Sequence, residues 1–171
     1  MGREDQGAAQ GRDRYQVIPR TLCFIMWDDE VLLLRGGPHK RLWAGRYNGV
    51  GGHIEAGEDV YNATRREIRE ETGLSVHDLR LRGVVHVDAG DPRVGILFFV
   101  FTARADSRAV GPSPDGDLEW WPVARLPLAD MVEDLPILLP KVLGLGPADP
   151  PFFAAYRYDD RNRLVISFAE Q

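Results

Sequence analysis

One stretch constrains this chain more than any other: residues 52 to 74, GHIEAGEDVYNATRREIREETGL. At about 100° per residue, Glu67, Glu70 and Glu71 fall within one helical arc of roughly 100°. Val60, Ala63 and Thr64 project onto the same side, while Asn62, Arg65 and Arg69 project onto the opposite one. The carboxylates therefore continue the face that a helix turns toward its core. Like charges at i,i+3 and i,i+4 repel, and partial burial raises carboxylate pKa values. A cation is expected to gather there, and oxygen donors suit a hard divalent one, Mg2+ or Mn2+.

The flanks agree with a loop, a helix and a stop. Gly51, Gly52 and Gly57 make a flexible, backbone-exposing loop, and Glu58 and Asp59 sit where a helix N-terminus favours negative charge. Gly73 takes the left-handed position just past the helix.

This stretch resembles the signature of Nudix hydrolases, G-x5-E-x7-R-E-U-x-E-E-x-G-U, with U a bulky aliphatic residue. Gly52, Glu58, Arg66, Glu67, Ile68, Glu70, Glu71, Gly73 and Leu74 occupy the specified positions. The competing reading is an amphipathic helix with a solvated acidic edge. The resemblance implies an α/β/α sandwich around a mixed sheet and divalent-metal-dependent hydrolysis of a diphosphate linkage. It also implies Glu70 and Glu71 as main metal ligands, Glu67 as a further ligand or the general base, and the Gly51 carbonyl as an additional ligand. Arg66 would anchor the helix or a neighbouring glutamate, and Glu58 would be a structural partner near the loop. Asp115-Gly116-Asp117-Leu118-Glu119-Trp120 resembles the family's E-G-x-L-x-W strand, which makes Asp115 one more metal ligand; a polar turn before a strand is the alternative.

Outside the signature, the chain is most similar to the MutT branch, whose members include diphosphatases acting on 8-oxo-dGTP. Arg46-Tyr47-Asn48-Gly49-Val50-Gly51-Gly52 resembles a branch motif that places Asn48 at the purine edge. An amide offers one acceptor and two donors for that task, although Asn before Gly also stabilises turns. Asp130 to Asp134 resembles a purine-reading element carrying a Trp and two Asp; here Met131 or Val132 replaces the Trp, and Asp134, with Glu133, keeps the acidic function. Asp134 could equally cap a second helix. Arg35, at a strand end, could contact phosphates. Trp43, Tyr47, Trp120 and Trp121 could stack on a base or pack in the core.

The chain has 171 residues and a formal net charge of −5, which suits one globular domain and argues against long DNA or RNA as partner. A small nucleotide or another small diphosphate remains compatible, because a bound metal offsets its charge locally. Cys23 is the only cysteine and sits in an apolar run, so it reads as a buried hydrophobe. The absence of an 18-residue apolar segment or a signal peptide leads to the expectation of a cytoplasmic protein without a membrane span.

Residues 1 to 14 are polar, glycine-rich and aperiodic and are expected to be a disordered tail, with one domain over 15–171. Strands are expected over Tyr15 to Trp27, Val31 to Leu34, Leu79 to Val87, Val94 to Ala103 and around Leu118 to Pro122. The fourth alternates poorly, as a strand covered on both faces does. A loop rich in basic and aromatic residues is expected over His39 to Tyr47, and a Gly/Pro/Ser/Asp loop over 106–116. A second helix fits between Asp134 and Leu143, with Pro136 in its first turn and a break or kink near Pro140. FFAAYRYDDRNRLVISF reads as a terminal hairpin, which could form a homodimer surface.

Three functional readings stand. The first is a nucleoside triphosphate pyrophosphohydrolase with oxidised purines favoured. The second is a Nudix hydrolase for a nucleotide sugar, a dinucleoside polyphosphate or an isoprenoid diphosphate; the isomerases that share the fold need further Cys, His and Glu ligands. The third is an inactive nucleotide-binding module, against which the full set of Glu67, Glu70 and Glu71 speaks.

Overall fold

The computed structural model describes Gly7, residues 14 to 39 and residues 42 to 170. The tail expected over 1–14 therefore lies, apart from Gly7 and Arg14, outside the described residues.

Eight strands and two α-helices follow in the order β1 (Gln16–Trp27), β2 (Glu30–Gly36), β3 (Tyr47–Asn48), α1 (Val60–Thr72), β4 (Val76–Val87), β5 (Val94–Ala105), β6 (Gly116–Pro122), α2 (Leu135–Leu143), β7 (Phe152–Tyr158) and β8 (Leu164–Phe168). Short 3-10 turns at Val123–Arg125 and Leu128–Asp130 link β6 to α2. The strands form one mixed sheet in the order β3-β2-β1-β5-β4-β7-β8, with β6 on β2. Parallel pairing of β1 with β5 and of β4 with β7 alternates with antiparallel neighbours. Every expected strand is present; β3, two residues long, carries no period that a sequence could reveal.

Period two along β1 sorts the core into two layers. Cys23 and Ile25 join Leu32, Val50, Ile68 and Phe101 on the α1 side, while Phe24 joins Leu33, Val85 and Val100 on the α2 side. Burial pushes the Cys23 thiol far above its ordinary pKa, as a packing residue requires. Helix α2 buries Leu135, Leu138, Leu139 and Val142, an i, i+3, i+4, i+7 stripe. Each such side chain contributes about 1.5–3 kcal/mol by leaving water.

Two expectations about α2 need correction. The helix runs through Pro140 without a break, and the Asp134 side chain makes no capping hydrogen bond. Asp134 has helical dihedrals of −85° and −25° in place of the extended conformation typical of a capping residue.

The site arises where β1 and β2 part. They pair only from Ile25↔Leu32 to Trp27↔Glu30. Beyond that, the chain from Tyr47 to His53 wedges between them: Tyr47 and Asn48 pair with β2, then Val50 and His53 bridge to Cys23 and Arg20. Thr21 N donates to the Gly52 carbonyl at 2.8 Å, and Cys23 N to the Val50 carbonyl at 2.7 Å. Among the described residues, no helix is long and apolar enough to cross a membrane.

Candidate functional site

Helix α1 has the ends its sequence predicts. Asp59 caps it, its carboxylate accepting from Tyr61 N and Asn62 N at 2.9 Å each. Gly73 closes it at φ 70° in the left-handed region, its N–H donating to the Arg69 carbonyl. Ala63, Thr64, Ile68, Glu71 and Thr72 are buried.

The three glutamates divide by depth instead of sharing one environment. Glu71 is 5% exposed, whereas the Glu70 side chain is 59% exposed and that of Glu67 is 14%. An arc of roughly 100° is wide enough to cross from the core to the helix edge, and Glu70 lies at that edge. Arg66 serves the outer pair, with Nη1 at 2.9 Å from Glu67 Oε1 and 3.0 Å from Glu70 Oε2. Its Nε and Nη2 grip both oxygens of Glu58, at 2.9 and 3.0 Å, and Nη2 also donates to the His53 carbonyl. These carboxylates push the guanidinium pKa further up, and Arg66 in turn holds Glu58 below its ordinary value.

Glu71 faces inward to different partners. Gly51 N donates to its Oε2 at 3.0 Å. Burial first, and then the Asp115 carboxylate facing it, push its pKa up to about 8, against the lowering effect of the Gly51 N–H. The structure thus brings Gly51, Glu71 and Asp115 together and turns Glu67 and Glu70 toward Arg66. Among the described residues, no three acidic, His or Cys side chains converge closely enough to grip a metal by themselves. Nor does the Gly51 carbonyl accept a backbone hydrogen bond among them, although that of Gly52 does.

Two glycines allow this approach. A Cβ on Gly51 would lie 2.2 Å from the Thr21 carbonyl oxygen, and one on Gly52 would lie 2.5 Å from the Glu67 carboxylate. Such distances require something to move.

A small cavity of about 120 Å³ opens over the pair, lined by Leu34, Leu42, Trp43, Asn48, Gly51, Glu71 and Asp115 among others. Ligand pockets are commonly about 300–1,000 Å³, so a nucleotide would extend beyond it. A larger open cleft of about 680 Å³ lies along the outer side of α1, lined by Arg65, Arg66, Arg69, Glu70 and residues 73–76. It offers guanidinium groups and a single carboxylate, whereas the smaller cavity is lined by both Glu71 and Asp115.

The remaining candidates separate in space. Asn48 lines the cavity, its Oδ1 accepting from Gly49 N at 2.8 Å, so both readings of this residue have a geometric basis. Arg35 is exposed, lies over the Tyr47 ring at 5.8 Å and donates to the Gly45 carbonyl. Glu133 accepts from Leu164 N. Asp134 lies near the buried Tyr156 hydroxyl; burial raises its pKa first, and Glu133 adds to this. None of Arg35, Glu133 and Asp134 lines the cavity. Leu42 lines it without having been singled out by the sequence, because a loop residue carries no periodic signal.

The NUDIX domain family model matches residues 18–142. An oxidized purine nucleoside triphosphate hydrolase from Mus musculus is 32% identical over 152 residues, covering 85% of this chain and 89% of that protein. One of the same description from Danio rerio is 31% identical over 133 residues, covering 74% and 82%. Among solved structures, a mutator MutT protein from Bacillus halodurans superposes with a TM-score of 0.69, covering 90% of this chain and 99% of that one; at 24% identity it speaks to the fold alone.

Proposed function

The chain belongs to the Nudix family and is a pyrophosphohydrolase of phosphorus-containing anhydrides, and we propose that its substrates are nucleoside triphosphates, cleaved to monophosphate and pyrophosphate, with oxidised purines favoured. The observation that carries this reading is the shared cavity: the Asn48 amide and the Glu71–Asp115 carboxylate pair open onto the same space. A base reader and a phosphate-processing centre are thus within one small molecule's reach. The similarity to two oxidized purine nucleoside triphosphate hydrolases supports the substrate class.

The donor set fits a hard divalent cation. The buried Glu71 carboxylate, its pKa raised by burial and by the Asp115 carboxylate facing it, lies with Asp115 and Gly51 in one set of oxygen donors, the ligand type a hard divalent cation prefers. Mg2+ or Mn2+ would be held by Glu71, Asp115 and the Gly51 carbonyl, with Glu67 and Glu70 joining as they leave Arg66. The ion would supply charge neutralisation at the phosphoryl oxygens and polarise the attacking water. Glu67 is the candidate base, since its side chain is neither fully buried nor free in solvent. Arg66 and Glu58 position these carboxylates. Asn48 would read the base, while Glu133 and Asp134 enter as substrate contacts through the MutT resemblance alone and Arg35 through its place at a strand end. Because β7 pairs with β4 in the one sheet, residues 15–171 read as a single domain.

The test is product analysis with Mg2+ on dGTP, 8-oxo-dGTP, dATP, dCTP, ADP-ribose and a dinucleoside polyphosphate. Monophosphate plus pyrophosphate, released fastest from 8-oxo-dGTP, is the expected result. Turnover of ADP-ribose or the dinucleoside alone would overturn the substrate class while leaving the carboxylate centre in place.

A further inference from the structure

Among the described residues, the non-glycine positions with positive φ are Asp28, Trp43, Asp78 and Asn162. Asp and Asn tolerate the left-handed region because their short polar side chains bond locally. Trp43, at φ 60°, has no such excuse. Burial of the ring does not compensate either, since Trp43 is 52% exposed. Strain held in place by its surroundings is a pointer to function.

The surroundings here are specific. Arg46 N donates to the Trp43 carbonyl at 3.0 Å, while Gly36 and its neighbours fasten the turn, through Gly36 N to the Arg46 carbonyl at 3.0 Å and Gly45 N to the Gly36 carbonyl at 2.7 Å. A Cβ on Gly36 would lie 2.6 Å from the Trp43 carbonyl oxygen, so the approach needs glycine. The turn built onto the end of β2 thus places the half-exposed Trp43 in the wall of the cavity that Asn48, Glu71 and Asp115 also line.

Other aromatic candidates are engaged elsewhere. Tyr47 is buried edge-on against Trp121 and donates to Glu119 at 2.8 Å. The Trp120 indole N–H donates to the Arg108 carbonyl. Met131 and Val132, one of which stands where the resembled element carries Trp, are each 4% exposed and offer no face to a ligand.

We propose that Trp43 is the stacking platform for the planar base of the substrate, holding it across the mouth of the cavity while Asn48 meets its edge. The inference rests on the reading that the substrate is a nucleotide. Stacking needs only a π-face, so Trp43 favours the larger purine ring without distinguishing guanine from adenine. The strained turn sets the indole beforehand, which lowers the ordering cost of binding.

The test uses the full chain and the variants Trp43→Ala, Trp43→Phe and Trp43→Gly. Trp43→Ala raises KM for purine triphosphates roughly ten-fold or more, the usual worth of one stacked base, with kcat changed far less. Trp43→Phe restores most of the lost affinity. Intrinsic fluorescence supplies a readout that needs no turnover: dGMP quenches the wild-type emission and leaves that of Trp43→Phe unchanged, while pyrophosphate, which has no base, quenches neither. Trp43→Gly relieves the left-handed strain, so it keeps or raises Tm while raising KM. A KM within two-fold of wild type in Trp43→Ala, or a Tm in Trp43→Gly several degrees lower, assigns the ring to packing and overturns the inference. If no nucleotide is turned over but dGMP still quenches through Trp43, the proposed reaction fails and the platform stands. If nucleotides are turned over and Trp43→Ala behaves as wild type, the reverse holds.

Discussion

The backbone N–H of Gly51 donates to Glu71 Oε2 at 3.0 Å, tying the most deeply buried carboxylate of α1 to the segment wedged between β1 and β2. That one bond couples the helix to the loop. It holds Glu71 facing Asp115, where burial first and the neighbouring carboxylate second raise its pKa.

Glu71→Gln keeps an oxygen for Gly51 N while removing the charge. The expected outcome is a loss of turnover of about 100-fold or more, as for removal of one electrostatic participant, with no drop in Tm for the metal-free protein. Mg2+ should raise the Tm of the wild type and shift the variant less, because a ligand stabilises only the state that binds it. Activity near wild type in the variant would sink the placement of the site.

Gly51→Ala and Gly52→Ala should differ in kind. The first drives a Cβ into a main-chain carbonyl of β1 and is expected to cost about 1–3 kcal/mol of stability. The second meets the end of a movable side chain, the Glu67 carboxylate, and should lower kcat more than Tm. Urea denaturation beside steady-state kinetics checks the pair.

Arg66→Lys keeps the charge but loses the paired bonds to both oxygens of Glu58. A single ammonium cannot reproduce that fork or also reach Glu67, Glu70 and the His53 carbonyl. A loss of about 1–2 kcal/mol is expected, discounted for partial exposure of the side chain, together with lower activity as Glu67 and Glu70 lose their restraint. Unchanged stability would mean the ion pairs are merely solvated contacts.

Asp134 has its folded pKa raised above the ordinary value, chiefly by burial. Its neutral form is thus favoured in the folded state. That contribution is fully present below the unfolded pKa and lost as pH rises through the folded one. Asp134→Asn should therefore gain stability relative to wild type as pH rises from 4 to 7. Parallel denaturation midpoints across that range would contradict the burial of the carboxylate there.

Much of this was legible without coordinates. Asp59 and Gly73 announced the two ends of α1, and Val94 to Ala103 announced a doubly covered strand, because capping and burial leave marks within a few residues of where they act. Whether Asp134 caps α2 stays open in one dimension, because a cap is decided by dihedral angles and Asp before a Pro-containing turn fits either arrangement.

The sequence by itself determined the helix, its carboxylates, the strand periods and the family to which they belong, since each is encoded in local spacing. Only the tertiary structure decided that Glu71 turns to Asp115 while Glu67 and Glu70 turn to Arg66. It also decided that Asn48 and the exposed Trp43 open onto one cavity from which Asp134 is absent. These are contacts between segments far apart in the chain, made where β1 and β2 separate and a third segment enters. A pattern read along one segment carries no record of which neighbour packing will bring against it.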